Sequence, residues 1–114
     1  MLKPVQEVLQ TIRADVRCIT AQQAKQEISE NNGLLLDVRE PEEHQAKAAQ
    51  GALNVPRGVL EFKLPAIEAN AERPIYIHCA AGSRATFAAE QLLRIGYQNV
   101  TVIGCKADEV CAVF

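Results

Sequence analysis

Tryptophan is absent from this 114-residue chain, and phenylalanine and tyrosine bring the aromatic content to only 4%. Any core must therefore be built from aliphatic side chains, since hydrophobic residues still make up 48% of the sequence. That hydrophobic fraction excludes an intrinsically disordered chain. The length predicts a single domain with one core, spanning residues 1–114.

Neither sign of charge dominates, because 12 basic residues stand against 14 acidic ones and the formal net charge is −2. This balance argues against a nucleic-acid partner and against binding to an anionic membrane surface. No apolar run approaches the length of a membrane-spanning helix, and the first residues lack the apolar core of a signal peptide. We therefore expect a cytoplasmic protein with no membrane partner.

The cysteines lack the spacings that bind metals. None of the four forms a CxxC pair, and the two histidines do not lie at zinc-ligand spacing from them. No metal site is predicted, and free thiols in a reducing compartment are the simplest interpretation. Besides Cys79, the chain contains Cys18, Cys105 and Cys111, which we expect to be unreactive unless the fold brings them close to Cys79.

Apolar patterning predicts alternating strands and helices. Residues 2–16 carry apolar side chains at helical spacing, which indicates an N-terminal helix. Short apolar runs that suit buried strands occupy residues 16–19, 34–38, 52–55, 75–79 and 99–103. The stretches between them have helical character, so we expect an α/β fold with a mostly parallel sheet and helices on both faces.

The most informative segment reads His-Cys-Ala-Ala-Gly-Ser-Arg over residues 78–84 and is followed by a predicted helix that Gly96 would end. The N–H groups of such a loop and of a helix N-terminus carry positive partial charge. Arg84 adds a full charge, so the layout favours the nucleophilic thiolate form of Cys79. In an open parallel sheet, ligands bind beyond the carboxyl ends of the strands, which is where this loop falls.

Other polar residues near the predicted strand ends have structural interpretations. We expect Asp37 and Arg39 to form hydrogen bonds that fix the loops around the site. Side chains alternate along a strand, so His78 should point away from Cys79 and pack in the interior. His44 lies on a polar helix and should be solvated, and neither histidine is predicted to act as a base.

Three blocks resemble the signatures of the rhodanese-like sulfurtransferases. They read Asp-Val-Arg-Glu-Pro-Glu-Glu at 37–43, Gly-Ala-Leu-Asn-Val-Pro at 51–56 and Cys-Ala-Ala-Gly-Ser-Arg at 79–84. Their order and spacing make the chain similar to a single-domain member of that family over roughly residues 18–103. The resemblance implies a five-stranded parallel sheet flanked by helices, and residues 1–16 would be an N-terminal helical extension.

The same resemblance implies a double-displacement reaction without a metal or organic cofactor. Cys79 would take a sulfane sulfur from a small-molecule donor such as thiosulfate. The persulfide would then pass sulfur to cyanide, to a small thiol or to a protein thiol. The residues expected to bind the anionic sulfur and the leaving sulfite are Ala80, Ala81, Gly82, Ser83 and Arg84. Ser83 could alternatively cap the following helix.

Two departures from the family pattern affect the periphery of the fold. Lys-Ala-Ala occupies residues 47–49, where members usually have Gly-His-Ile. Gly-Cys at 104–105 replaces a Gly-Gly pair that usually precedes an aromatic-anchored helix. Because the chain has no tryptophan to hold such a helix, we expect a shortened C-terminal helix.

Two other functions remain open at this point. Cysteine-dependent phosphatases and arsenate reductases also place a cysteine and an arginine at the two ends of an anion-binding loop, and phosphatases have five residues between them. Only four residues separate Cys79 from Arg84, and a shorter ring of amides suits a single sulfur better than a tetrahedral phosphate. A non-catalytic rhodanese-like module that binds a protein partner is the other alternative, since a fold alone does not define a function.

Overall fold

A five-stranded parallel sheet forms the centre of the computed structural model, which describes residues 1–114. The strands are β1 (Arg17–Ile19), β2 (Leu34–Asp37), β3 (Leu53–Asn54), β4 (Ile75–His78) and β5 (Val100–Ile103). Their order across the sheet is β1-β5-β4-β2-β3, and every neighbouring pair is parallel. The predicted α/β fold with a five-stranded parallel sheet is confirmed.

Six α-helices connect and cover these strands. They are α1 (Val5–Arg13), α2 (Ala21–Asn31), α3 (Pro41–Ala46), α4 (Leu60–Ile67), α5 (Ser83–Ile95) and α6 (Ala107–Val113). Helices α1, α4 and α5 pack together on one face of the sheet, and α2 and α6 pack together on the other. The predicted N-terminal helix is thus confirmed as α1, and the shortened C-terminal helix is confirmed as the seven-residue α6.

The sheet separates two aliphatic layers. Successive strand residues point to opposite faces, so β2 places Leu36 in the larger layer and Leu35 in the smaller one. In the same way β4 divides Ile77 from Tyr76. The four residues of β4 are all buried, as are those of β5, which is typical of central strands in a parallel sheet covered on both faces.

Two glycines set the ends of α5, the helix that follows the reactive loop. Gly82 is the N-cap residue with φ +105°, and Gly96 follows the last turn with φ +119°. Both values lie in the left-handed region that glycine adopts without steric cost. Because the N-cap is Gly82, the helix begins at Ser83.

The N-terminal helix packs on the same core as α5. Leu9 and Ile12 of α1 are buried, and α1 lies against α5. None of the six helices combines the length and the apolar character that crossing a membrane requires.

Candidate active site

Parallel pairing brings two polar segments to one edge of the sheet. Asp37 at the end of β2 lies in register with His78 at the end of β4. The residues that follow these strands, Arg39 after β2 and Cys79 after β4, therefore lie at the same carboxyl edge. This is the edge at which an open parallel sheet binds its ligands.

The Cys79 sulfur lies at the N-terminus of α5 and is held by main-chain donors. The residue is only 1% exposed. Its Sγ accepts hydrogen bonds from the N–H groups of Gly82 at 3.0 Å and of Ala85 at 3.3 Å. Unpaired N–H groups in the first turn of a helix carry positive partial charge, and they stabilise negative charge that develops on an atom in contact with them.

Two carbonyl groups of the loop, those of Ala80 and Gly82, accept hydrogen bonds from residues outside the loop. The Ala80 carbonyl accepts a hydrogen bond from the N–H of Ala107, the first residue of α6, at 3.0 Å. The Gly82 carbonyl accepts two bonds from Thr86, from its N–H at 3.0 Å and from its Oγ1 at 2.7 Å. Helix α6 thus supports the loop directly, although it is short.

Backbone conformation, and not lack of space, makes Gly82 necessary. A Cβ atom built on Gly82 would meet nothing closer than the Gly104 carbonyl oxygen at 3.8 Å. The φ angle of +105°, however, is one that side-chain-bearing residues rarely adopt. The turn that aims the Gly82 N–H at the sulfur therefore depends on glycine.

Arg84 forms an ion pair with a residue of α3. Its Nη1 donates to Glu43 Oε1 at 2.7 Å and its Nη2 donates to Glu43 Oε2 at 3.1 Å. The bonds from Arg84, together with one from the Glu40 N–H, lower the pKa of Glu43 to about 2. Both hydrogen bonds to the Cys79 sulfur come from main-chain groups, and the predicted role of the Arg84 side chain in binding the substrate anion stays a prediction.

Asp37 is fully buried and accepts several hydrogen bonds. The Arg39 N–H reaches Oδ1 at 3.0 Å, Arg39 Nη2 reaches Oδ2 at 2.8 Å, and His44 Nδ1 lies 2.9 Å from Oδ2. Burial opposes ionisation of this carboxyl, but the bonds from Arg39 and His44 outweigh burial and lower its pKa. Arg39 Nη2 also donates to the Lys47 carbonyl at 2.6 Å, so the group connects β2 with the C-terminal end of α3.

The two histidines of the site differ from one another in their surroundings. The expectation that His44 is solvated was wrong, because its ring contacts the buried Asp37 carboxylate and is 25% exposed. His78 lies fully buried, with no hydrogen-bond partner for either ring nitrogen and with Nε2 3.9 Å from Asp37 Oδ2. Burial lowers the pKa of His78, so the ring is neutral at pH 7.

The remaining site residues that the sequence singled out lie along the loop. Ala80 and Ala81 are exposed, and Ser83 is half-buried at the first position of α5. No side chain caps this helix, so Ser83 does not act as the cap that was one of its two interpretations.

Sequence reasoning missed Ala85 and Glu43. The helix start itself could have identified Ala85, because its N–H is in the unpaired first turn.

A cavity of about 250 Å³ borders the loop. Ala81 and Gly82 line it on the loop side, and Arg13, Val16 and Cys18 line it on the side of α1 and β1. Cys79 is not among its lining residues. The cavity therefore offers space for a small organic group beside the loop.

Two of the other cysteines differ in exposure. Cys105 Sγ accepts a hydrogen bond from the Ala21 N–H at 3.4 Å, at the start of α2. Burial raises the pKa of Cys105, which disfavours its reactive thiolate form. Cys18 is exposed, and all four cysteines are free.

The fold and the loop define a class of protein in which a cysteine follows a central parallel strand and lies at a helix N-terminus. Comparison with known proteins assigns the family. The family model described as "Rhodanese-like domain" matches residues 20–105. The chain belongs to this family.

Two curated relatives are named for sulfur transfer. A mitochondrial protein of Schizosaccharomyces pombe, named among the thiosulfate sulfurtransferases, is 28% identical over 92 residues, which cover 68% of this chain and 62% of that protein. The Escherichia coli thiosulfate sulfurtransferase PspE is 30% identical over 73 residues, which cover 64% of this chain and 70% of PspE. The chain thus spans less than two thirds of the length of the fission-yeast relative.

A solved structure described as a rhodanese with anions from E. coli has a similar fold. It superposes with a TM-score of 0.63 and 29% sequence identity, covering 67% of this chain and 89% of that one. The fold and the family are therefore shared with proteins named for sulfur transfer.

Replacing Gly82 should damage both the fold and the sulfur contacts. In Gly82→Ala the left-handed conformation is strained, so we expect the free energy of unfolding to fall by about 1–2 kcal/mol. The alkylation of Cys79 by iodoacetamide at pH 7, followed by peptide mass spectrometry, should also slow. Gly58→Ala is the matched control, because a Cβ there meets nothing within 4 Å and its φ is not positive. Equal unfolding free energies for the two variants would contradict this account.

Stability should depend on pH through His78. Its pKa is lowered in the folded protein, so below the usual value of about 6.5 the unfolded chain takes up a proton that the native chain does not. The free energy of unfolding in urea should therefore fall as the pH decreases from about 6.5 toward the native pKa. His78→Leu removes this titration and should flatten the profile over that interval. An unchanged slope in the variant would show that another group is responsible.

Proposed function

We propose that the protein is a sulfurtransferase in which Cys79 carries a sulfane sulfur, as a persulfide, from a small-molecule donor to a thiophilic acceptor. The observation that carries this proposal is the pair of main-chain N–H groups, from Gly82 and Ala85, directed at the Cys79 sulfur. The family assignment and the names of the relatives support it.

In the first step the Cys79 thiolate attacks the outer sulfur of thiosulfate. A new S–S bond forms to Cys79, the S–S bond of thiosulfate breaks, and its electron pair leaves with sulfite. No proton is consumed: the transferred sulfur keeps its negative charge as the terminal atom of the persulfide, and sulfite leaves with two negative charges. The N–H groups at the start of α5 stabilise that charge in place.

In the second step a nucleophile removes the terminal sulfur. Cyanide attacks it to give thiocyanate, or a thiolate attacks it to give a new persulfide, and the S–S bond to Cys79 breaks. The electron pair returns to the Cys79 sulfur, which is again stabilised by Gly82 and Ala85. Catalysis is covalent, and both steps pass through the same anion-stabilising site.

The other loop residues have distinct parts in this proposal. In this proposal the Ser83 hydroxyl donates to the bound anion, and Arg84 supplies the positive charge closest in sequence to the sulfur. Ala80 and Ala81 present only methyl groups at the exposed rim, which leaves room for donors and acceptors of different size. Asp37 and Arg39 act indirectly, by fixing the segment that faces the loop.

We further propose that residues 1–114 work as one domain in the cytoplasm. Burial of Leu9 and Ile12 in α1 supports the inclusion of the N-terminal segment in the same folded unit. The reaction itself favours a reducing compartment, because the nucleophile must remain a free thiolate between turnovers.

Incubation with thiosulfate should add one sulfur atom to Cys79. Mass spectrometry of the intact protein and its peptides would detect the persulfide, and subsequent addition of cyanide should release thiocyanate and restore the original mass. Cys79→Ser should abolish both signals. Cys105→Ser is the matched control, because Cys105 is also a free cysteine and its Sγ contacts the Ala21 N–H instead of the loop.

Two outcomes would overturn the proposed function. Hydrolysis of an aryl phosphate that requires Cys79, without persulfide formation, would favour the phosphatase alternative. A Cys79 that remains unmodified by thiosulfate, methanethiosulfonate and organic persulfides would favour the protein-binding module.

A further inference from the structure

The guanidinium group of Arg84, beside the active-site loop, already forms an ion pair with a carboxylate of the protein, that of Glu43. The two-pronged contact between Arg84 and Glu43 uses Nη1 and Nη2 at 2.7 and 3.1 Å. A sulfonate group, such as that of thiosulfate, would use the same parallel N–H donors that a carboxylate does. Glu43 and an anionic donor therefore compete for the same part of Arg84.

Glu43 is held in place from its own side. Its Oε1 accepts a hydrogen bond from the Glu40 N–H, and Glu40 Oε groups cap the same helix in return. The following residue of α3, His44, contacts the buried Asp37. Because α3 is fixed in this way, its carboxylate is a preorganised partner of Arg84 and not a mobile surface group.

The surroundings make this edge of the site more negative than the loop alone suggests. Glu40, Glu42 and Glu43 all lie at the start of α3. The guanidinium is compensated by Glu43, and the sulfur accepts its two hydrogen bonds from main-chain N–H groups. A donor that carries two negative charges meets more repulsion here than a donor that carries one.

We propose that Glu43 is a specificity-determining residue that weakens the binding of dianionic sulfur donors by occupying Arg84, so that the site favours sulfane donors of lower charge. This inference rests on the proposed sulfurtransferase function. It assigns the donor class as monoanionic sulfane compounds, such as thiosulfonates or organic persulfides, in preference to thiosulfate. Glu43 acts here through Arg84 and takes no part in bond making.

The expected effect is moderate because the pair is partly exposed. The side chains of Arg84 and Glu43 are 35% and 37% exposed. Ion pairs with this degree of solvent contact are weak, so their removal should change donor affinity by about twofold to fivefold.

The test compares two donors that differ in charge but react alike. Thiosulfate is a dianion and releases sulfite, whereas methanethiosulfonate is a monoanion and releases methanesulfinate after the same attack. In Glu43→Gln the amide can still accept the Glu40 bond, but its charge is gone. We expect KM for thiosulfate to fall about twofold to fivefold, KM for methanethiosulfonate to fall by a smaller factor, and kcat to change little.

Glu42→Gln is the matched control. It removes the same charge from the same turn of α3, and Glu42 is exposed and makes no ion pair with Arg84. A general charge effect would act in both variants, whereas competition for Arg84 acts only in Glu43→Gln. In the Arg84→Gln background the Glu43→Gln substitution should have no further effect on KM, since the contested group is absent.

A binding measurement makes the test independent of turnover. Sulfate should protect Cys79 from iodoacetamide, and half-protection should need less sulfate in Glu43→Gln than in the wild type or in Glu42→Gln. Glu43→Ala serves as a second variant if the glutamine variant does not fold.

The inference is overturned if KM for thiosulfate is unchanged or rises in Glu43→Gln, or if Glu42→Gln has the same effect. Equal changes for the two donors would also overturn it. These results are distinct from failure of the proposed function, which would appear as the absence of a Cys79 persulfide in the wild-type protein.

Discussion

A buried carboxylate at the end of β2 holds the surroundings of Cys79 in one arrangement. An ionised Asp37 without donors would carry a large desolvation cost, so its partners are constrained to stay in place. Arg39 and His44 supply them from the segment that follows β2, and Arg39 reaches on to the Lys47 carbonyl. These hydrogen bonds fix the orientation of α3, and the orientation of α3 places Glu43 opposite the loop.

The Cys79 sulfur, in contrast to the Asp37 carboxylate, is held by main-chain N–H groups and not by charged side chains. Cys79 ends β4 at a point where the chain must turn into α5, and the left-handed Gly82 makes that turn. The loop carbonyls bond to Thr86 and to the N–H of Ala107, so the N–H groups of the turn remain for the sulfur. Negative charge is thus stabilised by α5 on one side, and positive charge is held by Asp37 and Glu43 on the other.

Local patterns predicted the parts of this structure that are local in the chain. The apolar run before Cys79, the small-residue loop and the glycine that ends α5 are contiguous, and they gave the strand, the site and the helix in order. The contacts of Glu43 and His44 could not be predicted in this way. Their partners depend on how α3 lies against the sheet edge, and in the sequence both residues look like ordinary polar positions on a short helix.

The two contacts to the Cys79 sulfur come from N–H groups that every amino acid except proline possesses. Reactivity is therefore encoded mainly in the path of the chain, whereas the exposed Ala80 and Ala81 contribute only their methyl groups. Substitutions at Ala80 and Ala81 can therefore change the surface of the rim and leave the main-chain hydrogen bonds to the sulfur in place. Selectivity and chemical competence can consequently evolve along separate routes in this scaffold.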